Sequence, residues 1–304
     1  MGVLFQEVAD FQAERSFAGN NGFNISTMRF KLSGELDGGY GYLFQTNFVN
    51  TPAILDAKIY YKISPRLCIE MGLFKPPFSK EYLTGADAID FVNRSQAVNA
   101  LVAGRQIGTQ AIVTTDDGFL SGTLGLFNGD KLSTNNNDNN NFMYVGRLLL
   151  LSKLLNQGAI KGQWELGVNA AFSDDHQVQI GNGALPLFDG KRTLWGVDGR
   201  LMYEDWLFSG EVDAARLIPS QTNTAKTPYG YQLTCGYMVT RKSQMLIRFE
   251  SFLPDGLIPS SDLIIIGCNL WPTKATGLQL NYIVPTKDNV IKHHEVLVNA
   301  QLSF

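Results

Sequence analysis

The side chains that could perform catalysis or bind a metal are few in this sequence. The histidines and cysteines number three each: His176, His293, His294, Cys68, Cys235 and Cys268. None of them lies in a HExxH or CxxC pattern, and three cysteines cannot form a fully paired disulfide framework. A hydrolase would need a nucleophile beside a suitable base. These residue types disfavour an enzyme, and we expect no metal site and no cofactor.

The charged residues are fewer than usual and nearly balanced. Lysine and arginine total 25, aspartate and glutamate total 28, and the net charge is −3. Charged residues make up 17% of the chain, against roughly 25% in an average soluble domain. A protein that binds nucleic acid needs a basic surplus, which this composition does not provide. The balance of charges therefore disfavours a nucleic-acid partner.

The elements that must position these residues are strands. Apolar and polar residues alternate in short segments separated by turn residues, which is the periodicity of β-strands. In the last segment, Val296, Val298 and Leu302 alternate with Asn299 and Gln301, and the chain ends on an aromatic residue. We predict sixteen strands, at about residues 3–13, 22–33, 39–50, 53–63, 67–75, 106–116, 119–128, 142–152, 159–173, 192–204, 206–217, 229–240, 244–253, 262–271, 277–285 and 294–304.

Two observations favour a closed transmembrane barrel. The predicted strand number is even, as in single-chain outer-membrane barrels, and porins have about 16 to 18 strands. Counted from a periplasmic N-terminus, connections after odd strands are long and those after even strands are short. The short connection at Thr51–Pro52 is the exception. We therefore predict an all-β fold in which residues 1–304 form a single antiparallel transmembrane β-barrel domain.

The expected location is the bacterial outer membrane. No stretch reaches the roughly 18 apolar residues of a membrane-spanning helix. The N-terminus has no signal-peptide pattern, which is typical of a cytoplasmic protein or of a chain whose targeting segment has been removed, and the strand pattern favours the second. A soluble sandwich or lectin is the alternative. It would require the even strand number, the loop asymmetry and the terminal Phe304 to coincide by chance.

Charged residues also occur in mid-strand, on the polar faces. In a barrel the apolar face contacts lipid and the polar face lines the lumen. The basic residues expected to line the lumen are Arg29, Lys31, Lys58, Lys62, Arg147, Arg200 and Arg248. The acidic residues are Asp56, Glu70, Glu165, Asp198, Glu211, Asp213 and Glu250. Because the two sets nearly cancel, this pattern favours a pore with a weak ionic preference.

Several motifs resemble those of the phosphate-selective porin O and P family. They are Gly72-Leu73-Phe74-Lys75-Pro76-Pro77-Phe78, Arg94-Ser95, Gly104-Arg105-Gln106-Ile107-Gly108 and Phe127-Asn128-Gly129. The terminal Phe304 is similar to the assembly signal of outer-membrane proteins. The resemblance implies an outer-membrane porin, a water-filled channel for passive diffusion of small hydrophilic solutes and ions. It also implies a homotrimer in contact with outer-membrane lipid.

By the same resemblance, residues 76–105 correspond to the long third outer loop, which folds into the lumen and narrows the pore. Loops of this length are usually functional. The anion-binding residues expected at the constriction are Lys75, Lys80, Arg94 and Arg105. Basic side chains stabilise an anion that has lost part of its water, and arginine can donate two hydrogen bonds to phosphate. Alternatively, Lys75, Arg94 and Arg105 pin the loop to the wall through Asp87, Asp90 or Glu70.

Two further functions remain open at this stage. A plugged barrel would anchor partners without significant transport, and Thr134–Asn141 would then be a candidate binding surface. A barrel hydrolase is disfavoured, because the three histidines lie in predicted loops or at a loop edge. The balanced wall charges favour a general diffusion pore. Any preference of this pore for anions or phosphate is expected to be weak.

Overall fold

The computed structural model describes residues 1–13, 21–49, 53–129, 137–152, 155–157, 160–180, 187–257, 260–286 and 293–304. The strands in these ranges are β1 (Gly2–Gln12), β2 (Gly22–Glu35), β3 (Tyr40–Asn47), β4 (Ala53–Ser64), β5 (Leu67–Phe74), β6 (Gln106–Thr114), β7 (Leu120–Phe127), β8 (Met143–Leu151), β9 (Leu155–Gln157), β10 (Ile160–Gln179), β11 (Leu187–Tyr203), β12 (Trp206–Pro219), β13 (Tyr229–Thr240), β14 (Ser243–Leu253), β15 (Ser261–Leu270), β16 (Thr276–Pro285) and β17 (Glu295–Ser303). Two short helices, α1 (Lys80–Leu83) and α2 (Gln96–Leu101), lie between β5 and β6.

The strands form one closed antiparallel ring. Neighbours in the chain pair with each other, and β1 closes the ring by pairing with β17, from Leu4 opposite Ser303 to Gln12 opposite Glu295. The short β9 pairs with the start of β10 and β8 pairs with a later part of it, so β9 continues β8. The wall therefore has sixteen strands, and the predicted barrel is confirmed.

The predicted strand bounds agree with the structure to within a few residues, except at the β10–β11 hairpin. The sequence pattern assigns residues 174–191 to a loop, which is wrong at both ends because β10 continues to Gln179 and β11 begins at Leu187. A register shift after Asp175 interrupts the alternation on which the prediction rests. The exceptional connection at Thr51–Pro52 and part of the asparagine-rich tract lie outside the described residues.

The apolar face of the strands is the outer face. In β17, Leu302 is 39% exposed, whereas Asn299 on the opposite face is 2% exposed. Exposed aromatic residues mark the short-turn rim, where Tyr203 pairs with Trp206, and the Trp206 and Tyr237 ring centroids are 4.8 Å apart. This arrangement matches a barrel with a lipid-facing exterior and aromatic residues at the interface.

The connection between β5 and β6 packs against the inner face of the wall. Phe78 and Leu101 are fully buried in a cluster with Leu194 of β11 and Leu217 of β12. Phe91 is buried in a second cluster that includes residues of β1, β12, β14, β15, β16 and β17. We call residues 75–105 the inner segment. Within the described ranges, no helix is long and apolar enough to cross a membrane.

Candidate functional site

One side of the inner segment is held by uncharged side chains. The amide set consists of Gln6, Asn269, Gln279, Asn281 and Gln301, from β1, β15, β16 and β17. Four of them donate to the backbone carbonyls of residues 86–90, and the carbonyl of Asn281 accepts from Val92 N, with distances of 2.8 to 3.1 Å. Since these strands are adjacent in the ring, the amide set supports the inner segment along one side of the barrel interior.

The start of the inner segment is held by charged groups that converge on Glu81. Arg248 of β14 donates to Glu81 Oε1 at 2.7 Å. Glu211 of β12 accepts from Glu81 N at 3.0 Å, and Ser95 N donates to Glu81 Oε2 at 2.9 Å. Glu81 therefore joins two wall strands to both helices of the inner segment, because it lies in α1 and Ser95 precedes α2.

Two further ion pairs join the inner segment to the wall. Arg200 of β11 donates to both carboxylate oxygens of Asp90, at 2.6 and 3.0 Å. Lys80 in α1 forms an ion pair with Glu165 of β10. Together with the Glu81 contacts, these pairs hold the segment against the β10–β14 side of the barrel.

A cavity of about 480 Å³ lies between the inner segment and the opposite wall, β1 to β6. Its wall carries the charged residues Arg29, Lys31, Asp56, Lys58 and Glu70, and the inner segment contributes Lys75, Asp87 and Arg105. Charged side chains from both sides therefore face one polar cavity, which is the candidate functional site.

Two ion pairs neutralise part of this site. Lys58 of β4 is 2.7 Å from Glu70 of β5. Arg105 donates to both oxygens of Asp56, at 3.2 Å each, from Nε and one terminal nitrogen. This two-pronged contact fixes the guanidinium plane and joins the end of the inner segment to β4.

Arg29 and Lys31, both on β2, have no ion pair within the described residues. The Nε of Arg29 is buried and lacks a hydrogen-bond partner there. The acidic groups that interact electrostatically with Arg29 are Asp56 and Asp87, and Asp56 already binds Arg105. Lys31 is exposed. These two cations remain available to an anion in the cavity.

Lys75 binds the inner segment itself. Its ammonium group donates to the backbone carbonyls of Tyr82, Leu83 and Thr84, the last two at 3.5 and 3.3 Å. The same nitrogen lies 4.8 Å from the centre of the Tyr82 ring. Burial, followed by the charges of Arg105 and Arg94, lowers the pKa of Lys75 to about 6. Its positive charge is therefore fully present only at acidic pH.

Arg94 also binds backbone carbonyls of the segment. It donates to Glu81 O at 3.0 Å and to Thr84 O at 2.8 Å. Lys75 and Arg94 therefore share Thr84 O as an acceptor. Of the four residues expected at the constriction, Lys75 and Arg105 line the cavity, while Lys80 and Arg94 contact β10 and the segment backbone.

Most of the remaining wall residues expected in the lumen lie beneath the inner segment or beside it, whereas Lys62, near the end of β4, forms an exposed ion pair with Glu35. Arg147 of β8 and Asp198 of β11 form a buried pair with distances of 2.6 and 2.7 Å. Arg248 and Glu211 are also buried, and Arg200 is half-buried. These side chains point inward but bind other protein groups. Over the described ranges, no group of three histidine, cysteine or acidic residues could hold a metal ion.

Sequence reasoning missed the amide set, which supplies five contacts to the inner segment. Lumen-facing positions need polar residues, but they do not need amides. The asparagines and glutamines on the polar faces of β15 to β17 were therefore a detectable signal of hydrogen bonds to another part of the chain. Phe91 was missed as well. Its ring lies under Arg248, with the guanidinium carbon 4.2 Å from the ring centre.

Comparison with protein families gives a match to the model of phosphate-selective porin O and P over residues 5–188, more than half of the chain. The comparison with curated protein sequences gave no match.

Solved structures of outer-membrane proteins share the fold. The trimer form of OmpT from Vibrio cholerae has a TM-score of 0.66 and 11% identity, over 100% of this chain and 98% of that chain. OprB from Pseudomonas putida has a TM-score of 0.64 and 11% identity, over 100% and 93%. OmpF from Salmonella typhi has a TM-score of 0.61 and 13% identity, over 100% and 96%. At these identities, the likeness concerns the barrel fold alone.

Proposed function

This chain belongs to the phosphate-selective porin O and P family and is an outer-membrane porin, and from that premise we propose that it passes small hydrophilic solutes and ions with a weak preference for anions. A porin offers a wet path through a hydrocarbon layer that ions do not otherwise cross. The proposal therefore needs no catalytic group and no cofactor, and it assigns no enzymatic activity to the chain.

The observation that carries the anion preference is that Arg29 and Lys31 on β2 have no ion pair among the residues that the structure describes. In each of the pairs Lys58–Glu70 and Arg105–Asp56, the two charges neutralise each other. The charged residues that remain at the cavity are Arg29 and Lys31 on β2 and Asp87 on the inner segment. Basic side chains stabilise an anion that has lost part of its water, and a constriction charge acts more strongly where water is excluded. The excess of positive charge is small, so the preference is weak.

The inner segment is proposed as the constriction, and its four basic residues act in two ways. Arg105 and Lys75 line the path. Asp56 balances the charge of Arg105, and Lys75 adds charge at acidic pH. Lys80 and Arg94 position the segment, through Glu165 and through the carbonyls of Glu81 and Thr84. The buried residues Arg147, Arg248 and Glu211 support the wall and the segment.

The proposed assembly is a homotrimer embedded in outer-membrane lipid. The trimer form of OmpT, with the same barrel architecture, supports this proposal. Small ions and solutes are the proposed cargo. Phosphate is one anion that fits Arg29 and Lys31, since arginine matches the geometry of phosphate oxygens.

Single-channel recording in a planar bilayer tests the proposed function. The purified protein should give stable conductance steps in KCl, and millimolar phosphate should reduce the current only weakly. Strong block of the current at low phosphate concentration would show that the pore is a phosphate-selective channel and not a general diffusion pore. A folded protein that gives no steps would overturn the proposal and favour a plugged barrel.

A further inference from the structure

Two carboxyl groups lie side by side on the inner face of β12, behind the start of the inner segment. Glu211 and Asp213 are only 4% and 1% exposed, whereas Val212 between them is 48% exposed on the outer face. We call Glu211 and Asp213 the carboxyl pair, because their carboxyl groups are within hydrogen-bond distance of each other. On the neighbouring strand β11, Gly196 leaves room for Asp213, since a Cβ atom there would lie 2.5 Å from Asp213 Oδ1. The fold therefore puts two acidic groups in contact away from water.

Glu211 holds the inner segment with one of its two oxygens. Its Oε2 accepts a hydrogen bond from Glu81 N at 3.0 Å, and the Ser79 side chain also hydrogen-bonds this carboxyl group. The second oxygen, Oε1, is buried and has no hydrogen-bond donor among the described residues, and the same is true of Asp213 Oδ1. Buried polar atoms rarely stay without a hydrogen bond, so both oxygens need a donor.

In the described ranges, the cations that face the carboxyl pair bind other carboxylates. They are Lys80 of α1, Arg147 of β8, Arg200 of β11 and Arg248 of β14, which pair with Glu165, Asp198, Asp90 and Glu81, respectively. Glu250 of β14 adds a further negative charge, 3.6 Å from Arg248. Asn169 of β10, Gln232 of β13 and the helix α2 also face this region and contribute no charge. The carboxyl pair therefore has no cation of its own.

Two buried carboxylates in contact repel each other, and burial removes the water that would stabilise their charges. Without a cation, the carboxyl pair therefore cannot hold two negative charges. One proton between the two groups removes one charge and supplies a hydrogen bond for the oxygens that lack a donor. The same proton leaves Glu211 Oε2 available to Glu81 N.

We infer that the carboxyl pair shares one proton at neutral pH and thereby positions the inner segment against β12. Glu211 contacts the segment, whereas Asp213 acts through Glu211. The inference rests on the proposed channel, in which this segment forms the constriction, and it adds two positioning residues to that channel. At alkaline pH the carboxyl pair loses the proton as a unit, the two charges repel, and the contact between Glu211 and Glu81 N weakens. Alkaline pH should therefore loosen the start of the segment.

Limited proteolysis over a range of pH tests the inference. In Asp213→Asn, the amide keeps the shape of the carboxyl group, donates a hydrogen bond to Glu211 and cannot ionise. The matched control is Glu295→Gln, which alters the second pair of carboxyl groups in contact, those of Asp10 and Glu295. Within the described ranges, no hydrogen bond or ion pair joins this second pair to the inner segment.

The rate at which subtilisin cuts the inner segment of the folded protein is measured relative to its cleavage of an unfolded peptide at the same pH. This ratio should rise several-fold from neutral to alkaline pH in the parent and in Glu295→Gln. It should stay low in Asp213→Asn. The same rise in Asp213→Asn, or no rise in the parent, would overturn the inference.

Infrared spectroscopy provides a second readout. Glu295→Gln should show the carbonyl stretching band of a protonated carboxyl group at neutral pH, this band should disappear at alkaline pH, and adding Asp213→Asn should remove it. Absence of the band from Glu295→Gln at neutral pH would overturn the shared proton, even where Asp213→Asn does not fold. Neither measurement depends on conduction. A protein that shows both effects but gives no conductance steps would support the shared proton and contradict the proposed channel.

Discussion

The guanidinium group of Arg105, the last residue of the inner segment, binds both carboxylate oxygens of Asp56 on β4 at 3.2 Å. This contact joins the inner segment to the β1–β6 side of the wall, which borders the cavity. It also occupies one of the two acidic groups that interact with Arg29. Because Asp56 binds Arg105, Arg29 stays without a carboxylate partner among the described residues.

Removing Asp56 should strengthen the anion preference. In Asp56→Asn the cavity loses one negative charge and Arg105 loses its carboxylate partner, so an additional cation faces the path. The reversal potential in a KCl gradient should move toward the chloride equilibrium potential. The control is Asp116→Asn, because Asp116 pairs with Arg66 at an exposed turn outside the cavity. No change in Asp56→Asn, or the same change in the control, would contradict this charge assignment.

The selectivity should depend on pH through Lys75. Its pKa is lowered to about 6, so the side chain is mostly neutral at pH 7.5 and gains its charge as the pH falls through 6. Anion preference should therefore rise between pH 7.5 and pH 5, measured by reversal potential. Part of this rise should be lost in Lys75→Met, while the two proteins should differ little at pH 7.5. A Lys75→Met pore that differs from the parent equally at both pH values would refute the titration of Lys75.

The amide set should keep the inner segment in place. Asn281→Leu removes the acceptor of Val92 N, and an unsatisfied buried donor costs about 1 to 3 kcal/mol. Limited proteolysis should cut the inner segment faster in this variant, while the barrel stays intact. Asn47→Leu is a suitable control, because Asn47 binds Met28 N and Val49 O and does not touch the segment. Equal cleavage in both variants would show that the amide contact contributes nothing.

Removing only one partner of the buried pair of Arg147 and Asp198 should strongly lower the free energy of unfolding. Asp198→Ala leaves the guanidinium without its partner, and removing one partner of a buried pair costs about 3 to 5 kcal/mol. Replacing both residues by leucine should recover most of that loss, since apolar pairs of similar volume are often as stable. Urea titrations of folding into lipid vesicles would measure both effects. A double variant as unstable as the single one would contradict the explanation.

The barrel could be predicted from sequence because each wall strand contacts lipid on one face and the lumen on the other, and its residues alternate accordingly. Outward residues such as Leu302 and inward residues such as Asn299 alternate along one strand, so a short window is enough to detect them. The prediction failed in the β10–β11 hairpin, where the register shift after Asp175 breaks the alternation. A local pattern cannot be read across a bulge.

The site was harder to predict because its contacts join distant positions and often involve the backbone. Gln6 binds Ala86 O, 80 positions away, and only the closed ring brings the two together. The sequence suggests acidic side chains as partners of Lys75 and Arg94, yet both donate to carbonyl oxygens. Backbone acceptors are present at every residue, so residue types give no sign of which one a lysine or arginine will bind.

The reversal potential of an Arg29→Gln/Lys31→Gln variant tests the central claim most directly. The matched control is Lys62→Gln/Arg66→Gln, which removes the same number of positive charges from exposed ion pairs with Glu35 and Asp116. In a KCl gradient at pH 7.5, the Arg29/Lys31 variant should lose the anion preference, while the control keeps that of the parent. An unchanged reversal potential in the Arg29/Lys31 variant would contradict the account.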